Sequence, residues 1–442
     1  MFKKYSLNFI LSTFLFASVL AGQAIKLNIK ESPRISLLLI DAVIIFFVIA
    51  FLLVAVYKNK LLYFWKFFAR KIVSQRIWLL AILFLFWSLL SFVLNSHKYT
   101  LSQDLTAFSY WLRLLLAAVF SIIFYYLTKK EYLDGQYVKN KFIFWAFIAI
   151  LAGFIQLILL PDFSFMTYSG WDPHQNRLLS TFFDPNYFGL FIVLLMSVVA
   201  SKFTRKNNDW RTILIFCLSW LALYLTFSRS AWLAGTIAIP IVFWPKSWKF
   251  SLLIFVLFVV TMLIPSRLSD RIMQGKSFFS LDIFSSETKN LNQIDLKDRD
   301  PSATARTFSL KKGWEVGKKN WLIGAGYNFY GFELKNMNLS GENDSNSLAG
   351  QGSDSSLLNV FATTGIIGLA IFIWLTLLVL SKLRNLWKNS LSGGELFGFF
   401  LAYLIVSFFN NALFYMLILI PFVVLLIIAG DKSETTSQLD SA

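Results

Sequence analysis

The chain has 442 residues, of which 57% are hydrophobic and only 15% are charged, and its formal net charge is +17. Soluble domains are about 45–50% apolar and about 25% charged, so this composition excludes an ordinary soluble protein and indicates a polytopic membrane protein. The single cysteine excludes an intramolecular disulfide. Basic cytoplasmic loops explain the positive charge more simply than nucleic-acid binding does.

Apolar runs follow one another along the chain, and a membrane span needs about 20 apolar residues. They predict an all-α polytopic protein with 12 transmembrane helices, nine within 1–265 and three within 356–430. An extracytoplasmic loop with amphipathic helices is predicted at 266–355, and a disordered cytoplasmic tail at 431–442. The predicted spans are 7–24, 35–57, 77–95, 105–127, 142–160, 186–202, 212–227, 230–245, 250–265, 356–381, 394–410 and 412–430.

Lysine and arginine residues orient the predicted spans. With the N-terminus inside, the cytoplasmic segments hold 22 Lys and Arg, whereas the short outer loops hold six. Because short cytoplasmic loops carry the excess of positive charge, both termini are predicted to lie inside and the long loop outside. The sequence therefore predicts a multi-pass protein of the cytoplasmic (inner) membrane whose active site is extracytoplasmic.

Two charged residues fall within predicted spans. Asp41 lies about six residues into the second span and Arg113 about eight into the fourth, and both spans run inward from the outer face. At about 1.5 Å per residue the two charges reach similar depths. An unpaired charge at that depth is costly, so the sequence predicts a structural ion pair, with a catalytic role as the alternative.

Two polar clusters precede the long loop. Asp184-Pro-Asn186, which follows Arg177, is typical of a turn that leads into a helix, so it serves either as a cap or as part of a binding site. Ser228 and Arg229 occupy a tight turn between two apolar runs. A charge at this position usually faces the protein interior or a wet cavity, and the alternative is an arginine that snorkels to the interface.

The long loop contains a third cluster. The spacing of Phe308, Leu310, Trp314 and Val316 predicts an amphipathic helix that lies at the membrane surface. Arg306 would then face lipid headgroups or an anionic ligand. A helix that is merely solvated beside the membrane is the alternative.

The loop ends at Asp354 and Ser355, where residues of these types are ordinary helix caps. The Gly-Ala-Gly run at 324–326 lacks the strand–loop–helix context of a dinucleotide site. His97 and His174 are too far apart in sequence to form a metal site of recognisable spacing. The sequence therefore predicts neither a metal nor a cofactor.

Taken together, these motifs resemble the O-antigen ligase and O-antigen polymerase-like superfamily of integral membrane glycan transferases. The resemblance implies a C-type glycosyltransferase-like architecture and a role in cell-surface polysaccharide biosynthesis. It also implies a donor glycan on undecaprenyl diphosphate, transferred to the hydroxyl of a glycan or glycolipid acceptor without a metal or nucleotide sugar. The resemblance rests on Arg177 with Asp184-Pro-Asn186, on Thr226-Phe-Ser-Arg-Ser230, on Arg306 with Trp314 and Gly324-x-Gly326, and on the run ending Gly365-Ile-Ile-Gly368.

The resemblance implies catalytic roles for three residues, Arg229, Arg306 and Asp354. Arginine offers paired donors to phosphate oxygens and would stabilise the departing diphosphate. Asp354 stands where ligases of this family carry the histidine of a His-Asn pair. An ordinary aspartate, with a pKa near 3.9, is a weak base, so Asp354 would need burial to activate a hydroxyl. Substrate-binding roles are predicted for Arg177, Asp184, Asn186, Ser228, Trp314 and Ser355.

The missing histidine favours a polymerase of lipid-linked repeat units over a ligase. A polysaccharide or lipid transporter or flippase is the alternative, because twelve spans also fit that class. The single large loop, which lies outside between spans nine and ten, argues against it.

Overall fold

The computed structural model describes residues 4–31, 34–72, 75–203, 209–263, 301–340, 352–389 and 393–439. Over these residues the protein is a bundle of α-helices with one β-hairpin, β1 (Lys26–Glu31) and β2 (Arg34–Leu38). The helices are α1 (Lys4–Ala21), α2 (Leu39–Tyr57), α3 (Leu61–Phe67), α4 (Arg76–Asn95), α5 (Leu101–Lys129), α6 (Gly135–Leu159), α7 (Pro185–Ser201), α8 (Trp210–Leu225), α9 (Arg229–Phe243), α10 (Trp248–Leu263), α11 (Pro301–Lys319), α12 (Tyr330–Asn336), α13 (Ser356–Asn389), α14 (Gly393–Val406) and α15 (Met416–Leu439).

The all-α polytopic fold class is confirmed. Each of the twelve predicted spans corresponds to one helix, namely α1, α2, α4 to α10 and α13 to α15. Within the described ranges, α2, α4, α5, α6 and α13 are long and apolar enough to cross a membrane, and seven further apolar helices are 10–17 residues long. The predicted loop of 266–355 is described at 301–340 and 352–355, where it contains α11 and α12, and its remainder lies outside the described residues.

Two elements differ from the prediction. The segment predicted as a span from residue 35 begins instead as β2, which pairs antiparallel with β1, and α2 begins at Leu39. The Asp41 carboxylate accepts the backbone N–H of Leu38 at 2.9 Å and so fixes the start of the helix.

At the C-terminal end of the chain, α15 extends to Leu439 because no glycine or proline interrupts 431–439. The tail predicted to be disordered is therefore helical to that residue, and 440–442 lie outside the described residues.

The predicted ion pair between spans is present. Arg113 Nη2 lies 2.9 Å from Asp41 Oδ2, and Arg113 also donates to the carbonyl of Ser36. Asp41 is only 5% exposed, so its charge depends on this partner. The pair joins α5 to the junction of β2 and α2.

Helices α7, α9 and α14 form the centre of the bundle. A Cβ added to Gly189 of α7 would lie 2.4 Å from Cβ of Ala231, and one added to Gly398 of α14 would lie 2.6 Å from the carbonyl oxygen of Ala238. Small residues thus allow the three helices to approach closely, as membrane helices commonly do. This packing places the N-termini of α7 and α9 side by side.

Helix α13 is interrupted at Gly365, where the backbone adopts φ 67° and ψ −171°. A Cβ at Gly365 would lie 2.3 Å from the carbonyl oxygen of Leu322, and one at Gly324 would lie 2.3 Å from the carbonyl carbon of Thr363. Only glycine at both positions lets the two backbones touch. The segment between α11 and α12 therefore fits directly into the break.

The break frees carbonyl groups that a continuous helix would use, and each is satisfied by a neighbour. Partners come from the 321–326 segment and from α4, so these groups need no water. The Gly-Ala-Gly run at 324–326 consequently has a structural role. The bonds are Ala325 N–H to Ala362 O (2.9 Å), Gly326 N–H to Thr363 O (3.1 Å), Ser91 Oγ to Thr363 O (2.9 Å) and Trp87 Nε1 to Thr364 O (2.8 Å).

Candidate functional site

Charged residues from four parts of the chain meet at one end of the bundle, on the face predicted to be extracytoplasmic. We call this group the outer cleft: Asp172, Arg177, Asp184, Arg306 and Asp354. The charges influence one another, because Asp172 and Asp184 raise the pKa of Asp354 whereas Arg306 lowers the pKa of all three carboxyls. Asp172 is exposed and the other four are half-buried, so the group remains accessible to a ligand.

Asp184 caps the N-terminus of α7. Its Oδ1 accepts the backbone N–H groups of Asn186 at 2.6 Å and Tyr187 at 3.2 Å, and Pro185 occupies the first helical position. Burial raises the pKa of Asp184, although these two N–H groups and the nearby arginines oppose the shift. The residue is thus both a cap and one wall of the outer cleft.

Arg177 fastens the loop before α7 to the end of α8. Its Nε donates to the carbonyl of Thr226 at 2.9 Å and its Nη2 to that of Phe227 at 3.2 Å. Carbonyl groups at a helix C-terminus carry partial negative charge, which suits a cation. The arginine therefore has a structural role, and its charge also lowers the pKa of Asp172 and Asp184.

A hydroxyl and amide network joins the starts of α7 and α9. Ser228 Oγ donates to Asn186 Oδ1 at 2.7 Å and lies 3.2 Å from Ser230 Oγ. Ser228 also caps α9 by accepting the N–H of Ala231 at 3.3 Å. The structure thus brings together Asn186 and Ser228, which are distant in sequence. Arg229, the next residue, is half-buried and begins α9.

Helix α11 docks on α13 through two glycines. A Cβ at Gly313 would lie 2.8 Å from Oγ of Ser353, and one at Gly317 would lie 2.3 Å from Cδ1 of Phe361. Residues 306, 309, 313 and 317 follow the spacing of one helix face. The same face that seats α11 on α13 therefore presents Arg306 and Ser309 to the start of α13.

Asp354 lies where α11 meets the N-terminus of α13. Its backbone N–H donates to Ser309 Oγ at 2.9 Å. Burial raises the pKa of its carboxyl to about 6, against the lowering effects of Arg306 and Ser309. A carboxyl with this pKa is largely ionised at neutral pH and is a stronger base than an ordinary aspartate.

Two other predicted residues lie beside this contact. Trp314 is on the neighbouring face of α11, 48% exposed, with its ring centroid 5.8 Å from that of Phe361. Ser355 is buried, and its Oγ accepts the N–H of Leu358 at 3.4 Å. These contacts give Trp314 a packing role and Ser355 a capping role.

Asp172 was not among the site residues predicted from the sequence. Although the side chain of Asp172 is exposed, desolvation of its carboxyl by the walls of the cleft raises its pKa, and so does Asp184, whereas His174, Arg177 and Arg306 lower it. The polar run at 171–177, Trp-Asp-Pro-His-Gln-Asn-Arg, was the available signal, because such a run directly before a predicted site arginine is unusual in this apolar chain. The run contributes one carboxyl, that of Asp172, and one histidine, His174, to the surroundings of Arg177 and Arg306.

An apolar cavity of about 270 Å³ lies between α4, α5, α13, α14 and α15. Phe84, Phe372 and Phe422 are among its walls, and Leu413 is at its outer end. The N–H of Leu413 donates to Oγ of Ser356 at 3.3 Å. The cavity also reaches Gln75 and Lys382, near the ends of α4 and α13 that face the cytoplasm under the predicted topology, and none of the outer-cleft residues lines it. Within the described ranges, no group of three or more His, Cys, Asp or Glu side chains could hold a metal ion.

The apolar helices and the charged cleft define a polytopic membrane protein with a candidate active site at one end of its bundle. A comparison with protein families matches residues 213–373 to the family described as O-Antigen ligase. The match confirms the resemblance to the O-antigen ligase-like superfamily and supports a function of this general ligase or polymerase kind. It includes Arg229, Arg306 and Asp354, whereas Arg177 and Asp184 precede it. No curated protein matches the chain.

Proposed function

We propose that this protein is a glycosyltransferase of the O-antigen polymerase or ligase kind. It would move a glycan from a polyprenyl diphosphate to a sugar hydroxyl on the extracytoplasmic side of the cytoplasmic membrane. The observation that carries the proposal is the contact between α11 and α13. That contact sets a carboxyl with a pKa of about 6, that of Asp354, in the field of Arg306.

The donor diphosphate would bind in the outer cleft. Arg306 and Arg229 are the proposed partners for its oxygens, because a guanidinium can donate two parallel hydrogen bonds to a phosphate. The N-terminus of α9 lies there as well and favours an anion through its backbone dipole, whereas the N-terminus of α7 is already capped by the Asp184 carboxylate.

Asp354 would act as the general base. It removes the proton from the acceptor hydroxyl, whose oxygen attacks the anomeric carbon of the donor. The bond between that carbon and the diphosphate oxygen breaks, and the polyprenyl diphosphate departs with the electron pair. Arg306 stabilises the charge that develops on the leaving group. Because burial raises its pKa to about 6, Asp354 is a stronger base than an ordinary aspartate.

We favour a polymerase over a ligase, because Asp354-Ser355 replaces the His-Asn pair of the ligases. Deletion of the gene followed by envelope glycan profiling separates the two activities. Loss of a polymerase leaves single repeat units, whereas loss of a ligase leaves long chains on the lipid carrier.

Substitutions at Arg306 test the site itself in reconstituted vesicles supplied with a lipid-linked oligosaccharide. Arg306→Ala should reduce transfer about 100-fold or more, and Arg306→Lys should recover only part of it, because lysine lacks the paired donors. Arg211→Ala, which changes an exposed arginine at the start of α8, is the matched control.

Two results would contradict the proposal. One is full transfer by Arg306→Ala at normal expression. The other is transbilayer movement of the lipid-linked glycan without a new glycosidic bond, which would favour the transporter or flippase.

A further inference from the structure

A short aromatic segment follows α2 and packs one of its faces on the bundle. It comprises α3 and the five-residue π-helical turn Phe68–Ile72. Phe64 is only 7% exposed, and its ring centroid lies 5.3 Å from that of Phe51 and 5.4 Å from that of Tyr126. The ring centroid of Phe67 lies 5.1 Å from that of Tyr126. The segment is therefore fixed against α2 and α5.

The opposite face of the segment is apolar and exposed. Leu62 is 64% exposed, Tyr63 is 67% exposed and Trp65 is 54% exposed. Four basic residues surround these three side chains. Lys58 is half-buried, and Lys60, Lys66 and Arg70 are exposed.

The segment is too short to cross a bilayer and does not continue α2. Asn59 has a φ of 52°, which ends α2 and redirects the chain before α3 begins. Twelve residues at about 1.5 Å each reach only about 18 Å, against a hydrocarbon core of about 30 Å. Large apolar side chains mixed with lysine and arginine suit neither water nor the hydrocarbon core alone. They suit the boundary between the two.

We propose that this segment, residues 61–72, forms together with Lys58 and Lys60 just before it a binding surface for anionic phospholipids in the leaflet that it faces. Leu62, Tyr63 and Trp65 insert among the upper acyl carbons, and the basic side chains meet the phosphate-bearing headgroups. Charge complementarity selects anionic over zwitterionic lipid, because each basic residue near a negative surface adds attraction. Under the predicted topology this is the cytoplasmic leaflet.

The first measurement is lipid retention. The purified protein is placed in nanodiscs of phosphatidylcholine with or without phosphatidylglycerol, and the lipids that remain bound are counted by native mass spectrometry. The triple variant Lys58→Gln, Lys60→Gln and Lys66→Gln should lower the preference for phosphatidylglycerol at least about tenfold. The control is a second triple variant, Lys130→Gln, Arg384→Gln and Lys388→Gln, which removes the same charge from exposed positions elsewhere. It should leave the preference for phosphatidylglycerol unchanged.

The second measurement is depth. Since Cys217 is the sole cysteine, Cys217→Ser provides a background in which Tyr63→Cys can carry a spin label. The label should be reached by membrane-dissolved oxygen more readily than by a water-soluble nickel relaxant. Equal loss of lipid preference in both triple variants would overturn the proposal. So would a fully water-accessible label, or a disulfide between two copies at position 63, which would assign this face to a second copy of the chain.

Discussion

The outer cleft and a second charged group at the opposite end of the bundle differ in how their charges are satisfied. We call the second group the inner network: Lys139, Glu395, Lys246 and Ser201. Lys139 Nζ lies 2.7 and 2.8 Å from the two carboxylate oxygens of Glu395 and 3.3 Å from Ser201 Oγ. Lys246 Nζ donates to the carbonyls of Ala200, Ser201 and Phe203 at 2.8, 2.9 and 2.7 Å. The network closes the inner ends of α6, α7 and α14.

The outer cleft contains carboxyls whose surroundings do not fully compensate the loss of hydrating water. The pKa values of Asp172, Asp184 and Asp354 are all raised, even though Arg177 and Arg306 are nearby. Raised carboxyl pKa values concentrate at functional sites, whereas a well-paired lysine and glutamate usually hold structure. Burial also lowers the pKa of Lys246 to about 8, but three backbone carbonyls hold its ammonium group. We therefore propose that the inner network serves stability and the outer cleft serves chemistry.

The strongest test of this division is Asp354→Asn. It removes the proposed base but keeps the shape of the side chain, so glycan transfer should fall about 100- to 10 000-fold. Initial rates with a lipid-linked donor measure the change. Asp162→Asn, in an exposed part of the loop before α7, is the matched control and should retain activity. Normal transfer by Asp354→Asn would remove the distinction between the two regions.

The inner network should respond in stability instead. Glu395→Gln leaves Lys139 without its carboxylate partner in a buried position, so the free energy of unfolding should fall by about 3 kcal/mol. Denaturant-induced unfolding in detergent measures it. Asp431→Asn breaks the more exposed pair with Lys129 and should cost less than about 1 kcal/mol. Equal losses in the free energy of unfolding for the two substitutions would mean that the buried pair of Glu395 and Lys139 stabilises the protein no more than the exposed pair does.

The pH dependence of transfer should follow Asp354. The base must be ionised, and its pKa is about 6, so the rate should be half-maximal near pH 6 and level off above about pH 7. At about pH 5 the rate should be roughly tenfold lower than at neutral pH. A pH–rate profile with saturating donor measures this, and a flat profile down to about pH 4 would exclude Asp354 as the base.

The smallest expected effect is on stability at the outer cleft, and its sign is opposite to that at Glu395. A carboxyl whose pKa is raised by folding stabilises the protein at low pH and loses that contribution as pH rises through about 6. Asp354→Asn should therefore stabilise the protein by about 1 kcal/mol at neutral pH, after allowance for solvent contact. Unfolding at two pH values measures the difference, which should vanish below about pH 4. A destabilised variant at neutral pH would contradict it.

The order and approximate limits of the helices could be predicted from the sequence, because hydrophobic length dominates in a membrane. The pair of Asp41 and Arg113 could also be predicted, since two costly charges at matching depth need each other. Asp184 and Arg306 were identified, but Asp172 was not, because its importance depends on how the loop before α7 folds onto the cleft. Equally, no local pattern revealed that the glycines at 324–326 would meet Gly365.

The interruption of α13 at Gly365 has a consequence for biogenesis. The carbonyls at the break are satisfied by Trp87, Ser91 and the 321–326 segment, all of which precede α13 in the chain. Hence α13 has its partners in place when it is synthesised, and it should remain poorly inserted without them. We expect Ser91→Ala with Trp87→Phe to raise protease cleavage near Gly365 in freshly made protein, while leaving α7 to α9 intact.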